Sequence, residues 1–227
     1  MKTRLLFSVL LAFVLWTVMF SPWTAPHLPF WVCMTCAALL LTTLTFVWQG
    51  PWWRQFTVTG STVRYVVENL MLGITIAIVL WGIFWVGDKV SQWMFGFART
   101  QVDGIYGMKE GYDGTLLSLL LLFIIGPAEE IFWRGYVQRQ LAFCLTHWPQ
   151  YNFFGLTLDA RFWAMAVGVM VYALVHLFSL NLMLILSALV CGVVWGGLYW
   201  LFPNRLPAII LSHSLWDAAV FIWFPIL

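Results

Sequence analysis

The sequence predicts an all-α fold, a polytopic transmembrane helical bundle of about seven spans with interfacial amphipathic segments. Three observations carry this. The 227 residues are 63% hydrophobic and only 9% charged, with a mean hydropathy of +0.90, whereas a soluble domain carries roughly 25% charged residues. The apolar residues fall in runs close to the ~20 that cross a bilayer as a helix. Sixteen Trp and 19 Phe suit interfacial belts and lipid-facing surfaces. No stretch is left over for a soluble unit, so residues 1–227 read as a single membrane domain. The formal net charge of +2 argues neither for nor against nucleic acid. There is no basic run, and the expected surroundings are the lipid bilayer, with no nucleic-acid partner.

The spans run near 4–21, 28–49, 67–87, 114–145, 161–179, 182–202 and 206–226. The first opens MKTRLLFSVLLAFVLWTVMF, a basic start and an apolar run like a signal peptide. It is longer than the 7–15-residue core of a cleavable signal, so it reads as an uncleaved span. The second contains Cys33 and Cys36 at C-x-x-C spacing. Inside an apolar span with no second pair, they read as small buried hydrophobes; with Cys144 and Cys191 they make no disulfide framework. Residues 50–66 mix aromatics, Thr and Arg and are expected along the interface. Residues 88–113, with Trp93, Phe95, Phe97 and Tyr106 among charges, are expected as a partly helical interfacial segment. The fourth span exceeds the crossing length, so it is tilted or continues into the cytoplasm. There is no internal repeat.

Orientation follows from the basic residues. With the N-terminus inside, Lys2, Arg4, Arg54, Arg64, Arg134, Arg139, Arg161 and Arg205 are cytoplasmic, while Lys89, Arg99 and Lys109 lie outside. That split is 8 to 3 of the 11 basic residues. It predicts a cytoplasmic N-terminus and a C-terminus on the opposite side, in a membrane expected to be the bacterial cell (inner) membrane.

Three segments place costly groups where Leu would suffice: GPAEEIFWR at 126–134, YALVH at 172–176 and HSLWD at 213–217. A charged residue at a helix centre costs about 2.5–3.5 kcal/mol on the insertion scale and normally faces the bundle interior. Glu130 and Arg134 stand at i and i+4, the acid N-terminal to the base, which is the better orientation. Glu129 points ~100° away from Glu130, so the two acids cannot share one role. Tyr172 with His176, and His213 with Asp217, repeat the i, i+4 spacing. Any one pair alone reads as glue between helices. Two adjacent glutamates, two histidines and an aspartate together favour a catalytic or transport site.

In this order the motifs resemble the CPBP family, the CAAX proteases and bacteriocin-processing enzymes, also described as ABI-type glutamic intramembrane endopeptidases. The resemblance rests on EExxxR (Glu129, Glu130, Arg134), on aromatic-xxx-His (Tyr172, His176) and on His-xxx-Asp (His213, Asp217). Arg134-Gly-Tyr and GVVWGGLY at 192–199 fit as well. It covers residues 115–226, the expected catalytic core; the first half contributes hydropathy alone. It implies an endopeptidase that cuts a membrane-associated protein or peptide near the membrane face: a prenylated CAAX tail, a leader peptide or a C-terminal sorting anchor. It further implies that Glu129 polarises the attacking water and His176 holds that water. Glu130 and Arg134 would orient the site, and His213 with residue 217 would face the developing oxyanion. Tyr172 is a candidate substrate-binding residue.

Two positions depart from the family. Tyr172 stands where Phe is usual, and Asp217 where many members have Asn. An ionised carboxylate cannot donate to an oxyanion, so the expectation for Asp217 is to orient His213, as a carboxylate orients imidazole in a triad. Zinc is the chemical alternative, with Glu129, His176 and His213 as candidate ligands. There is no H-E-x-x-H pair, and the resemblance implies a site with neither metal nor cofactor. At 1.5 Å per residue, His213 lies roughly 12 Å in from Arg205 and His176 roughly 22 Å in from Arg161. A shared site requires the fifth span to start outside the membrane or to tilt strongly. Pro127 is placed to kink or open the fourth span beside Glu129. Two other functions compete: a proton-coupled transporter, which lacks the paired half-sequence repeats of such folds, and a non-catalytic immunity or scaffold protein of the same fold.

Overall fold

A computed structural model describes residues 2–55, 58 and 61–226. Among the described residues, seven helices are long and apolar enough to cross a membrane: α1 (Lys2–Phe20), α2 (Phe30–Gln49), α3 (Thr62–Met94), α5 (Gly114–Cys144), α6 (Ala160–Ser179), α7 (Leu182–Leu201) and α8 (Pro203–Trp223). A shorter helix, α4 (Ala98–Gly107), lies between α3 and α5. The chain is therefore a multi-pass integral membrane protein built as a helical bundle.

The elements differ from the sequence reading in four places. The third span, expected at 67–87, extends through Thr62–Met94. Asp88 and Lys89, which look like the end of an apolar run, are carried inside the helix by the Gln92 amide, which donates to Asp88 Oδ2 at 2.7 Å. The expected interfacial segment 88–113 therefore divides between the end of α3 and helix α4. Of the expected interfacial segment 50–66, residues 52–55 form a short 3-10 turn, while 56, 57, 59 and 60 lie outside the described residues. A small antiparallel hairpin, β1 (Tyr151–Phe153) and β2 (Leu156–Leu158), joins α5 to α6. Its turn sets Phe154 and Gly155 at positive φ, the primed-turn geometry that matches strand twist. Cys33 is half-buried, while Cys36 faces outward on α2; neither is bonded to another cysteine.

Helices pack closely where a side chain is missing. A Cβ on Gly73 of α3 would lie 2.8 Å from the Ala208 carbonyl oxygen of α8, and one on Gly126 of α5 would lie 2.8 Å from Ser214 Cα. The GVVWGGLY segment is explained the same way. Gly192 and Gly196, one turn apart, both face Val169 of α6, a small-xxx-small contact of the kind that draws membrane helices together.

These contacts also settle the depth of His176. Leu206, near the start of α8, packs at Gly135, while Gly168 of α6 faces Gln138 and Leu141 further along α5. Arg161 precedes Gly168 by two turns, so α6 starts roughly 15 Å beyond the level where α8 starts. That offset brings His176 level with the site. Arg134, counted by sequence among the flanking charges, is 3% exposed inside the bundle. Seven basic residues then flank one end and three the other.

Candidate active site

All seven residues singled out by sequence are buried: Glu129, Glu130, Arg134, Tyr172, His176, His213 and Asp217. Glu129, Tyr172, His176, His213 and Asp217 line one cavity of about 560 Å³, within the range of small-molecule and peptide pockets. Glu130 and Arg134 stand behind it.

Helix α5 delivers both acids from a short α-helical stretch, Gly126–Phe132. π-helical turns flank it at Leu121–Ile125 and Trp133–Gln138. Pro127 sits in the first turn of that stretch, where its missing N–H is absorbed by the widened turn before it. Glu130 Oε1 accepts from Arg134 Nη1 at 2.7 Å and faces His213 Nδ1 at 2.6 Å. His213 Nε2 in turn faces Asp217 Oδ2 at 3.4 Å. A neutral imidazole has one donor and one acceptor nitrogen. Contacts to two carboxylates therefore need one proton more than neutral His213 and two ionised acids supply. Trp195 of α7 stacks on the His213 ring with centroids 3.9 Å apart, and the Arg134 guanidinium lies over the rings of Tyr172 and Trp195. The stack fixes the ring plane, and the two aromatic faces offset part of the desolvation of Arg134.

Glu129 is held separately. Its Oε2 accepts the Tyr172 O–H at 3.0 Å, so the hydroxyl that Tyr adds over Phe is spent on this carboxylate. His176 Nδ1 lies 2.9 Å from the Tyr172 carbonyl oxygen, and Nε2 accepts the Trp16 indole N–H at 3.2 Å. Since Nε2 is an acceptor, Nδ1 carries the ring proton and donates to that carbonyl. Of the three groups offered as zinc ligands, His176 and His213 have both ring nitrogens turned to other groups, and Glu129 Oε2 accepts from Tyr172. Among the described residues no trio of His, Cys, Asp and Glu is grouped as a metal requires.

Three residues were not picked out by sequence reasoning. Trp195 lies in the quoted GVVWGGLY segment and could have been noticed there. Trp16 reaches His176 across 160 residues, with no local signal to mark it among sixteen tryptophans. Trp216 lines the cavity beside Asp217, and its indole N–H is buried with no hydrogen-bond partner among the described residues.

Residues 112–219 match a family model described as Type II CAAX prenyl endopeptidase, Rce1-like. The match begins just before α5, ends within α8 and contains all seven site residues. No curated protein and no solved structure matches the chain.

Proposed function

From a chain that belongs to the CPBP family, a family of intramembrane endopeptidases, through residues 112–219, we propose a glutamate-type protease acting on a membrane-associated protein or peptide. The carrying observation is the division of labour between adjacent acids: Glu130 is locked to Arg134 and His213, whereas Glu129 faces the cavity on a single Tyr172 hydrogen bond.

In this reading Glu129 takes a proton from water as the hydroxide adds to the substrate carbonyl, then passes that proton to the leaving amine. The negative charge developing on the carbonyl oxygen is met by the Trp216 N–H as donor, while His213, held in plane by Trp195 with its two nitrogens turned to Glu130 and Asp217, acts through its charge rather than a further hydrogen bond. Asp217 and Glu130 orient His213 from its two nitrogens. His176 fixes the Tyr172 carbonyl, and through Tyr172 the Glu129 carboxylate; its Nε2 reaches water only when the Trp16 indole turns off it. No metal or cofactor is needed for these steps. The substrate is a membrane protein whose apolar segment fills the cavity, of the CAAX-tail, leader-peptide or sorting-anchor kind. The N-terminus lies in the cytoplasm and the C-terminus opposite.

The transporter reading is less well served, because the charges close on one another within the bundle rather than lining a path between its ends. Cleavage of candidate substrates in membranes holding the protein or Glu129→Gln tests the proposal: loss of cleavage with the fold retained supports it, and unchanged cleavage removes Glu129 from the mechanism.

A further inference from the structure

The cavity does not stop at the reactive groups. It continues along α3 toward α4, where Met94, Phe95, Val102 and Ile105 form an apolar wall. Asp88 interrupts that wall. It lines the cavity and is 8% exposed. Its Oδ2 accepts from Gln92 at 2.7 Å and from Lys89 Nζ at 3.1 Å, while Oδ1 is buried with no hydrogen-bond partner among the described residues. A carboxylate oxygen left unpaired in an apolar wall is costly to keep, and holding the end of α3 needs only the other oxygen. Lys89 is half-exposed and shares its charge with water. Tyr106 lies nearby on α4. Burial, reinforced by the Asp88 charge, pushes its phenol up, so it stays protonated and adds no competing negative charge.

We propose that Asp88 is a specificity-determining residue whose free oxygen receives the cationic head of a Lys or Arg side chain of the substrate. The wall suits such a side chain, whose aliphatic stem lies on apolar surface while its head seeks an acceptor. Register supplies the spacing. Gly73 of α3 is level with Ala208–Leu211, and Gly126 and Gly135 of α5 are level with Ser214 and Leu206. Counted along the helices, Glu129 is level with about Leu211 and so with the turn of α3 that begins at Gly73, and Asp88 lies roughly 20 Å beyond it. An extended chain covers that in about six residues at ~3.3 Å each. The substrate therefore carries a basic residue about six positions from the cleaved bond. This rests on the protease reading above.

The test uses binding, which needs no turnover. Glu129→Gln protein in lipid nanodiscs is titrated with labelled 20-residue Leu/Ala peptides bearing one Arg, Gln or Glu scanned along one end. At one register the Arg peptide binds about tenfold tighter than the Gln peptide, the size of a charge-assisted hydrogen bond, and the Glu peptide binds more weakly than either. Asp88→Asn in the same background brings Arg and Gln within about twofold. No Arg preference at any register, or a preference that survives Asp88→Asn, overturns the proposal. If Asp88→Asn does not fold, the peptide series on the Asp88 protein decides alone. Cleavage of the same peptides by protein retaining Glu129 is scored separately, so failure of the protease reading is distinguishable from failure at Asp88.

Discussion

The most apolar windows of α5 and α8 are 56% buried, whereas those of α1 and α3 are 28% and 22% buried. The difference follows the chemistry. Helices α5 and α8 carry Glu129, Glu130, Arg134, His213 and Asp217, whose charges are tolerable only with other helices around them. Helices α1 and α3 turn most of their surface outward, as the exposed Val63, Val67, Met71 and Ile78 of α3 show, and have no reason to bury more. Yet each outer helix sends a polar group to the cavity: Trp16 onto His176 and Asp88 into the wall. The inner pair supplies the reactive groups, and the outer pair shapes how they are presented.

The sharpest way to break this comparison is to remove a charge from each region. Arg134→Ala leaves Glu130 buried and short of its cation and costs about 3–5 kcal/mol of stability, read as loss of folded protein in thermal unfolding. Arg64→Ala on the outer face, whose side chain is 81% exposed, leaves the unfolding temperature unchanged. Next in size is the seam between the regions. Gly73→Leu drives a side chain into the Ala208 carbonyl and costs about 1–3 kcal/mol as an overpacked contact, whereas a Leu at Gly82, where nothing lies within 4 Å, is tolerated.

Smaller effects separate roles within the site. Asp217→Asn weakens the hold on His213 Nε2, and kcat on a membrane substrate falls about tenfold, the value of one charge-assisted bond; full activity would leave the orienting role without support. Trp16→Phe keeps the ring but removes the indole N–H. It lowers kcat about threefold with KM unchanged, consistent with one lost neutral hydrogen bond. A rise in kcat would instead make Trp16 a cap over the water site.

Sequence reading reached the inner region better than the outer one, for a physical reason. The i, i+4 pairs of α5 and α8 are local, and their cost inside a span makes them conspicuous; Glu130–Arg134 and His213–Asp217 meet as that spacing requires. The link from His213 to Glu130 joins different helices and has no sequence signature. Asp88 and Lys89 resembled a span boundary because hydropathy registers charge and not the Gln92 bond that keeps the helix going. The π turns around the two glutamates have no sequence signature beyond the small residue Gly126 beside Pro127, where α5 approaches Ser214 of α8. Helix α4, expected as a partly helical interfacial stretch, became legible as a cavity wall only once its contacts were known.

The central claim is that Glu129, and not its neighbour, is the carboxylate that meets water. Its most direct test is the cleavage rate of a membrane-inserted substrate by Glu129→Gln protein shown to be folded by its unfolding temperature. A drop of at least about 10²-fold, the scale of a lost general base, is the predicted result. Cleavage at the unaltered rate would contradict the account.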